Sequence, residues 1–262
     1  MDNARAIKAA QSLLDSLKQG AIIDGLPENC RPQSRDEGYQ IQSHFEDEDP
    51  RIGWKIAATS TAGQQHIGID GPIAGRLTEN MVFAEDDIVP FGPNRMAVAE
   101  AEFVFQFAHV LTPRASAYSQ DEVMAAVGGL YLGIELPDSR YSDFAIVGAP
   151  HLIADNACAY QFVWGPEAPD DWQSVDLAAH KVFATVQNEA GISHHEGIGA
   201  NVLGDPKKAL CWLVNEITSL GITIDAGEIV TTGTCVVPMP IAKGDRVVAD
   251  FGVLGSVTCQ LG

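Results

Sequence analysis

Positive charge is scarce in this chain: 16 Lys and Arg stand against 35 Asp and Glu, a formal net charge of −19 over 262 residues. The longest basic cluster is Lys207-Lys208. A nucleic-acid binder neutralises phosphates with a basic stripe, and an anionic membrane surface asks for the same. The composition excludes both partner classes. Long apolar runs are missing too. A spanning helix needs about 20 apolar residues, and the most apolar stretch, Ala97 to Leu111, is interrupted by Glu100 and Glu102. The opening Met1-Asp2-Asn3-Ala4-Arg5 lacks the basic-then-apolar order of a secretory signal. Cysteine is sparse and shows no CxxC spacing: Cys30, Cys158, Cys211, Cys235 and Cys259 stand alone. That argues against a disulfide framework or zinc site and predicts reduced, mostly buried thiols in a cytoplasmic protein. There is no internal repeat and no low-complexity linker. What is present is apolar content: 46% hydrophobic against 19% charged residues, enough for a sizeable core.

The patterning places helices at the front and strands behind. Ala6, Ile7, Ala10, Leu13, Leu14 and Leu17 recur at helical spacing, with Gly20 as a C-terminal cap. Ser34-Arg35-Asp36-Glu37 and Ser119-Gln120-Asp121-Glu122 are capping boxes that open two more helices. A short helix is expected around Ala62 to Ile67, and a longer one from Pro206 to Leu220, with Gly221 as its stop. Strands are predicted at 51–59, 97–107, 130–136, 159–164, 181–187, 228–232, 246–250 and 256–261. Gly68 to Gly75 reads as loop. His194-His195-Glu196 reads as a solvated loop after a turn signal, because adjacent residues on a strand would face opposite ways. His66 is expected in a surface or capping role. Gly252 to Gly255 is expected as a tight turn, since it lacks the strand–loop–helix context of a phosphate cradle. The outcome is an α+β chain: an N-terminal helical segment over 1–50 and a mixed-sheet domain over 51–262.

The segment Val98-Ala99-Glu100-Ala101-Glu102-Phe103-Val104-Phe105 carries the most chemistry. Strand side chains alternate faces, so Glu100 and Glu102 share one side and Ala99, Ala101, Phe103 and Phe105 the other. Two adjacent carboxylates in a partly buried place need a cation or a proton. All-oxygen ligands suit Mg²⁺ or Mn²⁺. Glu135, at the end of the strand Leu132 to Leu136, is a third acid in apolar surroundings. Spacing alone leaves a second reading open, in which the pair simply decorates the wet face of a half-exposed strand.

Six blocks stand out in order along the chain: Gly53-Trp54-Lys55-Ile56-Ala57-Ala58-Thr59-Ser60, Gly75-Arg76-Leu77-Thr78-Glu79-Asn80-Met81, Ala99-Glu100-Ala101-Glu102, Gly133 to Arg140, Ala154-Asp155-Asn156-Ala157 and Gly252 to Val257. Together they resemble the 2-keto-4-pentenoate hydratase / 4-oxalocrotonate decarboxylase family of the fumarylacetoacetate hydrolase superfamily. The resemblance implies a mixed β-roll with peripheral helices, like the C-terminal domain of fumarylacetoacetate hydrolase. It implies Mg²⁺ or Mn²⁺ on Glu100, Glu102 and Glu135, an active-site Lys55, and substrate-facing backbone near Leu77. Thr231-Thr232-Gly233-Thr234 resembles a superfamily loop that meets the substrate carboxylate, which makes Thr231 and Thr234 substrate-binding candidates. A homo-oligomer is implied as well.

Two positions depart from the pattern. Asn80 stands where the family usually carries Asp; it orients a water or hydroxyl but cannot act as a general base. Cys158 stands where relatives often have Ser, which removes a hydroxyl donor. The resemblance implies a metal-dependent lyase that hydrates a 2-hydroxy-2,4-dienoate to a 4-hydroxy-2-oxo acid in aromatic-compound breakdown. A 4-oxalocrotonate-type decarboxylase is the alternative. It must hold a second carboxylate, for which Arg76 and Arg140 are candidate cations. The reading from another class is an inactive metal-binding subunit that supports a pathway partner enzyme.

Overall fold

Ala6, Ala9, Ala10, Leu13 and Leu14 lie on one face of the first helix, α1 (Asn3–Gln19), and all are buried. Asp2 caps its start, accepting from the Arg5 N–H, and Gly20 ends it at φ 60°. α1 packs with α2 (Arg35–Gln42) around Leu26, Cys30, Ile41 and Phe45, and this small core reaches Tyr141 and Ala154 of the main body. The computed structural model describes residues 1–262. No helix in it is long and apolar enough to cross a membrane.

After α2 come β1 (Arg51–Ala57), α3 (Thr61–His66), β2 (Ile73–Thr78), β3 (Val82–Ala84) and β4 (Ile88–Val89). Then follow β5 (Val98–Phe107), α4 (Gln120–Ala126), β6 (Val127–Leu136), α5 (Ala149–Ala154) and β7 (Gln161–Glu167). The rest is β8 (Lys181–Asn188), β9 (Gly191–Ile198), α6 (Pro206–Ser219), β10 (Ile229–Thr234), β11 (Met239–Pro240), β12 (Arg246–Asp250) and β13 (Ser256–Leu261). One sheet runs β2-β1-β10-β5-β6-β7-β3, with β11 joined to β5; the other runs β4-β13-β12-β8-β9. Most pairs are antiparallel, but β1 runs parallel to β10, β3 to β7 and β4 to β13. The fold is mixed α+β, as expected.

Period-two alternation divides the large sheet. Trp54, Ile56, Ala101, Phe103, Leu132 and Ile134 face the main core. On the opposite face, Leu77, Val104, Phe162 and Ile229 form a separate small cluster. Lys55, Glu100, Glu102 and Glu135 share that second face, so the sheet's polar residues stand beside an apolar floor.

Two expectations need correction. β2 occupies the end of the stretch read as loop, pairing antiparallel with β1 so that Lys55 lies opposite Gly75. The glycine that suggested a loop is required by packing: a Cβ there would run into the Asn156 carbonyl. His194, His195 and Glu196 lie in β9, where Ala184 pairs with His195 and Phe183 with Glu196. β9 is an edge strand exposed on both sides, so its residues carry no apolar alternation to reveal it.

Candidate metal centre

Four neighbouring strands deliver the polar cluster. Glu100 on β5 lies directly opposite Glu135 on β6, and Lys55 on β1 opposite Thr231 on β10. One carboxylate oxygen from each of Glu100, Glu102 and Glu135 lies within 4.8 Å of the others, the one such three-residue cluster in the chain. Lys55 Nζ stands 2.8 Å from Glu135 Oε2, and the Thr231 hydroxyl donates to Glu135 Oε1. Between Thr231 and Thr234 the register with β5 slips, so β10 carries one extra residue. Gly233 sits in that bulge at φ 105° and donates its N–H to Glu102 Oε2 at 2.7 Å. No other residue fits, because a Cβ would collide with the Thr59 side chain.

The remaining oxygen, Glu102 Oε1, is fully buried without a hydrogen-bond partner. An unpartnered buried carboxylate oxygen is costly. It is what a cation would satisfy. The donor set is all oxygen, which fits Mg²⁺ or Mn²⁺.

The electrostatics agree with an ion-shaped need. Burial raises the Glu100 carboxyl to about 7, with Lys55 pulling it back and Glu135 pushing it further up. Burial, then Glu135 and Glu100, hold Glu102 well above the usual carboxylate range. Burial works against the Lys55 ammonium, but Glu135, Glu100 and Glu102 outweigh it and keep its proton on more firmly than usual. A pH dependence follows. Without metal, Glu100 binds its proton more tightly folded than unfolded. Its favourable contribution is therefore complete below about 4.5, declines as pH rises and levels off above about 7. Relative to Glu100→Gln in chelator, wild-type stability is expected to fall between pH 5 and 7 by on the order of 1 kcal/mol per pH unit. Thermal melts of both proteins check this, and parallel profiles would exclude it. Added Mg²⁺ is expected to raise the melting temperature more at pH 8 than at pH 5, since binding needs ionised carboxylates.

Above the cluster opens a cavity of about 690 Å³ lined by Lys55, Glu100, Gly233 and Thr234 among otherwise mostly apolar neighbours. Its wall is conformationally strained. Asn156, Ala157 and Cys158 are three consecutive non-glycine residues at φ 54°, 51° and 62°. Each costs roughly 1–2 kcal/mol in that region. The turn is held by the Asn156 side chain, which accepts from Arg76 N at 2.7 Å and donates to Arg76 O at 2.9 Å. Cys158 lines the cavity as a neutral thiol, since burial pushes it up to about 12.

Not every candidate residue reaches this place. Leu77 belongs to the apolar floor and does not line the cavity. Thr231 spends its hydroxyl on Glu135, and Thr234 lines the cavity while donating to Val236 O at 2.5 Å. Asn80 lies elsewhere: its N–H donates to Asp49 Oδ2 at 3.0 Å beside a second, smaller cleft bordered by Leu14 and Tyr160. Asn80 sits in the helical turn Glu79–Met81, which follows β2. His66 lines the cavity with its ring edge-on to Phe144. Arg76 is tied to Glu46 and Gln42, and Arg140 to Asp155, so neither candidate cation opens on the cavity. The arginine that lines it is Arg95, a residue the sequence patterning passed over. Its available signal was position: one scarce cation five residues ahead of Glu100, just before the strand.

A model of the fumarylacetoacetate (FAA) hydrolase C-terminal family matches residues 72–261. The chain belongs to the fumarylacetoacetate hydrolase family. Among curated members, 2-hydroxyhexa-2,4-dienoate hydratase of Comamonas testosteroni is 29% identical over 256 residues, 96% of this chain and 94% of that protein. The 4-oxalocrotonate decarboxylase of Pseudomonas putida is 28% identical over 224 residues, covering 85% of this chain and 82% of that one. The solved structure of 4-oxalocrotonate decarboxylase from Pseudomonas putida G7, complexed with magnesium and adipate, superposes with a TM-score of 0.87. At 23% identity the superposition covers 100% of this chain and 99% of that one. The likeness in fold to that decarboxylase structure thus runs over the whole chain, including the N-terminal helices that precede the residues matched by the family model.

Proposed function

We propose that this chain is a divalent-metal-dependent hydro-lyase that adds water to a 2-hydroxy-2,4-dienoate, giving a 4-hydroxy-2-oxo acid. The observation that carries it is the trio of half-buried Glu100 and buried Glu102 and Glu135, one oxygen unpartnered, with Glu100 lining a mostly apolar cavity and Lys55 paired to Glu135. The trio would hold Mg²⁺ or Mn²⁺, which supplies Lewis-acid polarisation to a vicinal carboxylate and 2-oxygen. Lys55, whose ammonium stands 2.8 Å from Glu135 Oε2, supplies a fixed positive charge and a proton donor beside the trio. Thr231 and the Gly233 N–H orient Glu135 and Glu102. The apolar walls exclude bulk water from the conjugated chain. Asn80 takes no part.

Arg95 favours a second reading, decarboxylation of a 2-oxo-3-enedioate, because a remote carboxylate would have a partner in the cavity. Retention of Lys55 with all three acids argues against an inactive supporting subunit. The family resemblance adds the expectation of a cytoplasmic homo-oligomer, which sedimentation of the purified chain checks.

The deciding assay offers 2-hydroxypenta-2,4-dienoate and 2-oxohex-3-enedioate, each with Mg²⁺ or chelator. Metal-dependent water uptake is expected. Release of CO₂ selects the second reading. Turnover that survives complete chelation, or no turnover of either compound, overturns the proposal.

A further inference from the structure

Arg95 is anchored more firmly than a surface arginine needs to be. Its N–H and that of Met96 both donate to Asp138 Oδ1, at 3.1 and 3.2 Å. Asn94 Nδ2 donates to Pro137 O at 3.2 Å, while Asn94 Oδ1 accepts from Ala97 N at 2.8 Å. The entry to β5 is thereby stapled to the chain that leaves β6. The side chain crosses the same junction: Nη2 donates to Ser139 O at 3.0 Å, with Asp138 Oδ2 at 3.8 Å, beyond hydrogen-bond reach. Nε and Nη1 make no hydrogen bond to the chain, and the side chain is 38% exposed.

Chain length bounds how far this guanidinium stands from the acidic cluster. Ser139 is four residues beyond Glu135, and Arg95 five before Glu100, so the Cα separations are at most about 14 and 18 Å. Met96, Val98, Pro137 and Phe144 make the nearby wall apolar. A site that is apolar apart from a few placed polar groups uses those groups to orient its ligand. A guanidinium whose Nε and Nη1 are still unpaired suits a carboxylate, to which it donates charge-assisted hydrogen bonds.

We propose that Arg95 reads a second carboxylate at the far end of the substrate, so that this cavity prefers 2-oxo and 2-hydroxy dicarboxylates to their monocarboxylate counterparts. The inference rests on the function proposed above, which puts the 2-oxo-acid end at Glu100, Glu102 and Glu135. It leaves the reaction itself open, since water addition and decarboxylation both have dicarboxylate substrates of this class.

The test is calorimetric and needs no turnover. The full chain with Mg²⁺ is titrated with 2-oxoadipate and with 2-oxohexanoate, which differ only in the far carboxylate. Wild type is expected to bind the diacid about 10- to 100-fold more tightly. Arg95→Gln should bring the ratio near one while leaving 2-oxohexanoate affinity unchanged, and Arg95→Lys should restore part of it. Mg²⁺-dependent binding of both ligands without discrimination, or discrimination that survives R95Q, overturns the role of Arg95 alone. Loss of discrimination in His66→Gln but not in R95Q reassigns it and equally overturns the proposal. Failure of both ligands to bind in a Mg²⁺-dependent way overturns the function proposed above and this inference with it.

Discussion

Lys55→Ala is expected to lower kcat by about 10²–10⁴-fold, the range for removing a positioned proton donor. The side chain is 2% exposed and its ammonium touches Glu135. No other cation pairs with the three acids, so the substitution removes both the donor and the counter-charge. Burial already raises Glu100 to about 7. Without Lys55 it should rise further, and Mg²⁺ affinity at neutral pH should become more strongly pH-dependent without disappearing. Initial rates with Mg²⁺, on whichever dienoate wild type turns over, check the first effect; calorimetry at pH 6 and 8 checks the second. Lys55→Met keeps the apolar stem and separates lost charge from lost packing. Near-normal turnover in both variants would remove Lys55 from the chemistry.

Asp155→Ala carries the largest expected cost in stability. Arg140 is 1% exposed, and its Nε donates to the Asp155 carboxylate, its Nη2 to the Asp155 carbonyl and its Nη1 to Ala159 O at 3.0 Å. Asp155 Oδ2 also accepts from the Ser139 hydroxyl at 2.6 Å and from Arg140 N at 3.1 Å. Removing one partner leaves a buried guanidinium uncompensated, at a cost of about 3–5 kcal/mol. For a chain this size that corresponds to a melting temperature lower by on the order of 10 °C. Scanning calorimetry reads it directly, and a shift of only about 1 °C would show that the pair contributes no net stability. The double variant Asp155→Ala with Arg140→Met should recover much of the loss, because the unpaired charge is gone. The same break loosens the ends of the cavity wall: Asp155 precedes the strained turn, and Ser139 accepts from Arg95.

Much of the fold was legible from local pattern. α1 with its Gly20 cap, the capping box at Ser119 and the Asp205-Pro206 helix start all stand where residue chemistry placed them. These signals involve residues within one turn of each other, so sequence spacing and spatial distance coincide. β2 and β9 were missed for opposite reasons. β2 carries a glycine demanded by a carbonyl about eighty residues away, and β9 is a polar edge defined only by its pairing with β8. The short helix α5 carries no cap hydrogen bond from a side chain, and its one start signal, Pro150 in the first turn, went unread.

The site divides in the same way. Period-two alternation was enough to put Glu100 and Glu102 on one face of a single strand. Which carboxylate faces which is a matter of register between β5 and β6, and the bulge that aims the Gly233 N–H at Glu102 exists only because β10 carries an extra residue against β5. Distance across the fold, not along the chain, moved Asn80 to another cleft, tied Arg76 to half-buried Glu46 and Arg140 to buried Asp155, and brought Arg95 to the cavity. Chain order sets the repertoire of side chains on each strand; long-range backbone pairing decides which of them share a dry volume, and there a carboxylate must find a cation or a proton.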